Sequence, residues 1–282
     1  MTKHENINRF QPKHQKNIPS MILVGISITY LAFIIYIPAF NIFFQAFNQG
    51  LEPFFANICQ SHFLHAVGMT LKLALIAVPL NTVFGLCAAC SIARNTFTGR
   101  SLLLSIIDLP FSISPIVVGL MMVLVYGRQG WFGHWLHNHD LSIIFAFPGM
   151  VIVTAFVSMP FIAREVIPVL EEIGDDQEQA AGTLGANNWQ IFWRITLPNI
   201  RWGLLYGLIL TSARALGELG AVAVVSGNII GKTQTITLYI EDAYKNYDAE
   251  AAYSAAVLLA LLAIITLVLK QILESKVHTK NT

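Results

Sequence analysis

REVIPVLEEIGDDQEQAAGTLGANNWQIFWRITLPNIR, residues 164–201, is unlike the rest of the chain. Five carboxylates (Glu171, Glu172, Asp175, Asp176 and Glu178) lead into a short helical pattern, and Gly185 permits a sharp turn. A second short helix follows with Trp189, Phe192 and Trp193, and Leu197 and Pro198 close it before the next apolar run. Two short helices joined by a turn are expected here. The contrast lies in what flanks them: the 282 residues are 55% hydrophobic and only 12% charged, where an ordinary soluble domain carries about 25% charged residues. Mean hydropathy is +0.61.

So apolar a chain reads as a polytopic membrane protein rather than a soluble or disordered one. Seventeen Lys and Arg against sixteen Asp and Glu leave a net charge near +1, and no basic footprint points to nucleic acid. A helix needs about 18 apolar residues to cross about 30 Å of hydrocarbon. Working outward from 164–201, six runs meet that length: 18–47, 66–92, 101–126, 142–163, 200–225 and 251–273. The first follows Lys3, Arg9, Lys13 and Lys16 but far exceeds the roughly 7–15 residues of a signal-peptide core, and it reads as a retained helix.

Lys and Arg between the runs set the orientation, because translocation disfavours cationic loops. With the N-terminus inside, the inner segments hold Lys3, Arg9, Lys13, Lys16, Arg94, Arg100, Arg164, Arg194, Arg201, Lys270, Lys276 and Lys280; the outer loops hold Arg128, Lys232 and Lys245. Twelve against three, with Lys72 and Arg214 inside spans, puts both termini and the 164–201 segment in the cytoplasm. Pro38, Pro79, Pro110, Pro115, Pro148 and Pro160 lie in or at the ends of spans. They fit either helices broken around a pathway or ordinary kinks.

An interfacial hairpin would favour Lys and Arg on its polar face, and a DNA-reading helix-turn-helix would need positive charge, so the acidic segment fits neither. A knob that docks on a cytoplasmic protein fits, its aromatic turn suited to a partner's pocket. Gln179-Ala180-Ala181, three residues, Gly185, nine residues, then Ile195-Thr196-Leu197-Pro198 resembles the EAA loop of ABC importer permeases, with Gln179 at the Glu position and Glu178 just before it. Further stretches resemble the sulfate/thiosulfate, CysW-type branch of the oxyanion permeases: IDLPFSISPIVVGL (107–120), YGRQGWFG (126–133), FAFPGMVIVTAFVSMPFIAREVIP (145–168), WRITLPNIRWGLLYGLIL (193–210) and ARALGELGAVAVVSG (213–227). ARALGE is shared with molybdate and tungstate permeases, whereas AVAVVSG and QGWFG tilt towards sulfate. In TQTITL (233–238) Thr237 stands where related permeases often have Pro.

The resemblance implies an all-α fold of six transmembrane helices, the type I ABC importer permease fold, with a cytoplasmic coupling helix. It divides the chain into a cytoplasmic tail 1–17, a first helix and outer loop 18–65, a core 66–273 containing the coupling loop 164–198, and a tail 274–282. It implies a loop coupled to an ATPase through Glu178, Gln179, Ala180, Ala181, Gly185, Ile195, Leu197 and Pro198. It also implies a non-enzymatic permease subunit, multi-pass in a bacterial inner membrane, that translocates sulfate and thiosulfate by alternating access. Its partners would be a second homologous permease, two cytoplasmic ATPase subunits that use the ATP and Mg, an extracytoplasmic sulfate-binding protein and membrane lipid. The chain itself would bind no cofactor. A molybdate or tungstate permease is the alternative within the family; an ion-gradient-driven transporter or channel is the alternative outside it.

Arg214 and Glu218, four apart inside the fifth run, are expected on one helix face, either along an anion path or as a structural lock. Lys72 either snorkels or faces the same cavity. Ser112, Ser114, Thr211 and Ser212 meet a passing oxyanion or bond back to their own helices. SGNIIGKT (226–233) nearly spells a phosphate loop, but Ser226 occupies a required glycine position and the segment faces outward. With no nucleotide motif elsewhere, any ATPase is another polypeptide. His62, His65, His134, His137 and His139 read as surface histidines, and Cys87 and Cys90, in an apolar run, as small packing residues.

Overall fold

Main-chain amides and carbonyls find no water inside hydrocarbon, so an apolar chain satisfies them within helices. The computed structural model describes residues 18–48 and 50–278, and every regular element among them is helical. In chain order these are α1 (Ile18–Phe47), α2 (Leu51–Ile58), α3 (Ser61–Arg94), α4 (Arg100–Ser112), α5 (Pro115–Tyr126), α6 (Gly133–Asn138), α7 (Phe147–Ser158) and α8 (Pro160–Ile173). There follow α9 (Asp176–Thr183), α10 (Asn188–Ile191), a π-helical turn (Phe192–Thr196), α11 (Leu197–Leu216), α12 (Gly220–Ser226), α13 (Ile236–Lys245) and α14 (Ala249–His278). Lys3, Arg9, Lys13, Lys16 and Lys280, which served to orient the chain, lie outside the described residues.

By length and composition, four helices or stacks could cross a membrane: α1, α3, α7 with α8, and α14. Six result when two bent pairs are each taken as one span. The runs 101–126 and 200–225, expected as continuous helices, are those pairs: α4 and α5 meet at 109°, and the helix ending in α11 meets α12 at 52°. Pro115, in the first turn of α5, explains the first break, since it forces Ser114 into an extended conformation (φ −59°, ψ 135°). The second break has no proline; it is built around Glu218. Pro38, Pro79, Pro110 and Pro168 stay inside helices, so only some prolines mark breaks.

The run ending at 163 continues as helix to Ile173, ten residues further than expected. The charge of Arg164 does not end it, because Arg164 Nε bonds Asp108 Oδ1 at 2.7 Å and the guanidinium lies 5.1 Å over the Phe111 ring. Pro160 is harmless in the first turn of α8, where no N–H is needed. Glu171 and Glu172 therefore belong to the end of α8 rather than to the loop.

Two apolar clusters form the core. One, from α3, α4, α8 and α11, contains Ala89, Ile92, Ile107, Ile162, Val166, Leu170 and Ile200. The other, from α3, α5, α7, α12 and α13, contains Leu73, Val118, Met150, Val153, Ala221, Val222, Val225 and Leu238. Small residues let helices approach closely where lipid supplies no hydrophobic drive: a Cβ on Gly85 of α3 would lie 2.7 Å from Ile162 Cβ, and one on Gly207 of α11 would lie 3.1 Å from Ile162 Cα. Ile162 of α8 is thus gripped between α3 and α11. Residues 233–238, expected in an outer loop, instead fold back and are buried, Ile236 N donating to Thr70 Oγ1 of α3 at 2.9 Å. At the periphery α1 and α2 pack against α14 around Phe54 and Val257.

Candidate functional site

The segment between α8 and α11 is ordered by main-chain caps that its sequence encodes. α9 ends in a Schellman motif: Ala186 N donates to Ala181 O and Gly185 N to Gly182 O, each at 3.0 Å, with Gly185 at φ +88°. This conformation requires glycine, and the space around it does not, since a Cβ on Gly185 would touch nothing within 4 Å. α10 opens with a capping box, Gln190 N to Asn187 Oδ1 at 2.8 Å and Asn187 N to Gln190 Oε1 at 3.0 Å. The N-x-x-Q spacing at 187–190 is the sequence signal of this box.

Pro198 was expected to close the second short helix. Instead Asn188–Leu216 is one continuous helix through a π-helical turn, with Leu197 N bonded to Phe192 O. The wider turn is where the ladder accommodates a proline that cannot donate. The loop's exit is therefore a rigid extension of α11, and Leu197 packs on the cluster between α3, α8 and α11.

Of the five carboxylates, Glu178 was expected among the coupling residues. Glu178 faces inward, its side chain 19% exposed: Oε2 accepts from Arg94 Nε at 2.9 Å, and Oε1 accepts from Arg94 Nη2 at 3.0 Å and from Thr196 Oγ1 at 2.8 Å. Arg94 Nη1 also donates to Leu170 O at 2.8 Å. Glu171 pairs with Arg100. Gln179, at the family's Glu position, is exposed, and its Nε2 donates to Asp175 Oδ2 at 2.7 Å. Asn199 Nδ2 donates to Gln177 Oε1 at 2.9 Å. Ala180 and Pro198 are exposed, Ala181 and Ile195 half-buried. The loop also presents apolar side chains: Leu184 is 88% exposed, Trp189 69% and Trp193 51%, the two indoles edge to face at 5.7 Å. Sequence reasoning counted Arg94 only as an orienting cation and missed Thr196, because nothing local reveals that residue 94 meets residue 178.

Arg214 and Glu218 do meet, with Nη1 2.7 Å from Oε2, yet not on one helix face as their spacing suggested. α11 ends at Leu216, and Glu218 stands in the break, its side chain 1% exposed against 30% for Arg214. Glu218 Oε1 accepts from Ala221 N at 2.9 Å, filling one of the amides that open α12. Glu218 O accepts from Thr237 Oγ1 at 2.8 Å. Thr237, where related permeases often have Pro, thus joins the buried 233–238 segment to the break through its hydroxyl.

Thr211 Oγ1 and Ser212 Oγ bond back to Gly207 O and Leu208 O of their own helix, both at 2.7 Å, while Ser112 and Ser114 are exposed at the 109° break. Lys72 is exposed on the surface of α3. In 226–233 Thr233 Oγ1 donates to Ser226 O at 2.7 Å and accepts from Ile229 N at 3.1 Å, closing the turn on itself. His139 Nδ1 lies 2.8 Å from Trp135 O, and among the described residues no group of three His, Cys, Asp or Glu is placed to hold a metal ion. Cys90 packs on the α3–α8 cluster, while Cys87 is exposed on the surface of α3 rather than packed.

Residues 81–279 match the family model described as "Binding-protein-dependent transport system inner membrane component". The chain is 60% identical over 255 residues, 90% of its length and 92% of the relative's, to the "Sulfate transport system permease protein CysW" of Synechocystis. It is 35% identical over 253 residues, 89% of its length and 91% of the relative's, to the "Sulfate transport system permease protein CysT" of Escherichia coli K12. In fold it superposes on a chain of a bacterial alginate ABC transporter crystallised with its alginate-bound periplasmic protein, with TM-score 0.76, 19% identity and coverage of 92% of this chain and 94% of that one. The chain belongs to the binding-protein-dependent transport system inner membrane components, the permeases of ABC importers, and to the CysW branch among them.

Proposed function

We propose that the chain is the permease subunit of an ABC importer that carries sulfate and thiosulfate across the bacterial inner membrane. The observation that carries the reading is the loop at 176–198: a knob capped at both helices, tied to the base of the helix bundle, and presenting Leu184, Trp189 and Trp193 outward. An exposed apolar cluster on a rigid mount suits a hydrophobic groove on a cytoplasmic ATPase. The similarity to CysW relatives at 60% identity favours sulfate over molybdate or tungstate. An ion-gradient-driven transporter or channel would need no such knob.

In the orientation that inner cations favour, both termini and the loop are cytoplasmic. The assembly comprises this chain, a second permease homologous to it, for which a CysT-type chain is the natural candidate, two ATPase subunits and an extracytoplasmic sulfate-binding protein. The ATPase chains use ATP and Mg; this chain binds no cofactor. Closure of the ATPase dimer moves the loop and opens the spans outward for anion released by the binding protein, and hydrolysis returns them to the inward-open state. Arg214 supplies positive potential on the path. Glu218 holds it while itself held by α12 and Thr237, so the anion competes with a carboxylate already anchored elsewhere.

Uptake of labelled sulfate by cells expressing the complete system, in competition with molybdate and thiosulfate, tests the substrate; stronger competition by molybdate than by unlabelled sulfate overturns it. Deleting 178–198 tests the coupling, since uptake that survives the deletion refutes an ATPase-driven permease. In Arg214→Gln, normal assembly with undiminished uptake would remove Arg214 from the path.

A further inference from the structure

α9 buries none of its residues, so apolar packing does not hold it to the bundle. Two residues, Gly174 at φ +70° and Asp175, link it to α8. The side-chain ties that fix it among the described residues are polar. Gln177 bonds Asn199 and Glu178 bonds Thr196, both reaching the chain just beyond the loop, across 22 and 18 residues. Glu178 also bonds Arg94, across 84 residues, and Arg94 stands in the last turn of α3. The same guanidinium reaches Leu170 O near the end of α8. One planar group thus joins the end of α3, the end of α8 and the coupling helix.

We propose that Arg94 is the positioning residue that passes displacement of the coupling loop to α3. α8 enters the loop and α11 leaves it, so both feel its motion through the main chain; α3 has no main-chain link to it. A guanidinium that donates two parallel bonds to one carboxylate fixes orientation as well as distance, which a single-point ammonium does not. With Arg94 in place, α3, α8 and α11, already interlocked around Ile162, move with the knob as one body. This inference rests on the reading of 176–198 as the ATPase-coupling loop.

The test uses the complete transporter with its binding protein, reconstituted in vesicles, reading ATP hydrolysed per sulfate transported. In Arg94→Gln the ATPase subunits should co-purify as in the parent and hydrolysis should continue, while uptake falls about tenfold, the effect of losing one charge-assisted contact of ordinary strength. The ratio of ATP to sulfate therefore rises. Arg94→Lys should fall between, and the exchange Arg94→Glu with Glu178→Arg should transport better than Arg94→Glu alone. An assembled Arg94→Gln transporter with the parent ratio overturns the proposal. So does loss of assembly in Arg94→Gln and the exchange variant alike, which would make Arg94 a folding residue. If deletion of 178–198 leaves uptake intact, the coupling reading itself fails and this proposal falls with it; if the deletion abolishes uptake and Arg94→Gln does not affect it, only the proposal fails.

Discussion

Gly185 offers a perturbation whose cost separates cleanly into one term. A side chain there meets no atom within 4 Å at its Cβ, so it brings no clash inside this chain, but the residue sits at φ +88°. Holding a non-glycine residue in left-handed conformation costs about 1–2 kcal/mol, a factor of roughly 5–30 in the equilibrium between the closed Schellman turn and an opened loop. Asn tolerates this region best among side-chain-bearing residues and a β-branched residue worst. If the ATPase binds only the closed loop, its apparent affinity falls by the fraction closed. Gly185→Val should therefore weaken ATPase binding by up to about 30-fold, Gly185→Ala less, and Gly185→Asn least. Titrating the permease complex in nanodiscs with purified ATPase subunit measures this directly. Equal affinities for Val and Asn would show that the glycine serves something other than its backbone angle.

Three other substitutions probe the mount and the break. Gly85→Ala places a Cβ 2.7 Å from Ile162 Cβ and 2.8 Å from its Cγ2, so α3 and α8 must part. Overpacking of this kind costs about 1–3 kcal/mol; the melting temperature in detergent should drop, and an unchanged melting temperature would show that α3 and α8 can part there without cost. Asn187→Ala removes the cap of α10 at about 1 kcal/mol, and should reduce ATP-driven uptake where Asn187→Asp does not. Glu218→Leu should destabilise by about 3 kcal/mol, the low end for breaking a buried pair because Arg214 keeps 30% exposure. Glu218→Gln, which retains an acceptor for Ala221 N, should lose less, and thermal unfolding ranks the two.

The helical class and the six apolar runs were legible because burial in hydrocarbon imposes length and composition on each span independently of its neighbours. The 109° break could be anticipated from Pro115, whose effect on Ser114 is local. The 52° break could not, because Glu218 looks like an i, i+4 partner of Arg214 until one knows that its other oxygen caps Ala221. The end of α8 was misplaced for a similar reason: Arg164 reads as a membrane boundary in sequence and as a satisfied surface side chain once Asp108 is opposite it. Gly185 was found by spacing, whereas its role as the C′ residue of a Schellman motif depends on two bonds to carbonyls of 181 and 182. Local rules reached caps and lengths; pairings across 56 to 84 residues lay beyond them.

Those distant pairings give the inner cations a second use. Arg94, Arg100 and Arg164 were counted as charges that keep their loops in the cytoplasm, and each meets a carboxylate: Glu178, Glu171 and Asp108. The two uses do not conflict. Acidic residues contribute little to topology, so Lys and Arg can hold their loops inside during insertion whether or not partners lie nearby. Pairing needs the folded bundle, because the partners come from different helices. Exposure then separates the pairs. Arg100–Glu171 and Arg164–Asp108 are about half exposed and add little beyond surface pairs in general. Arg94–Glu178, at 17% and 19%, is shielded from screening and carries two parallel bonds. Of the three arginines, only Arg94 is therefore in a position to bear load between the 176–198 knob and the long apolar helices.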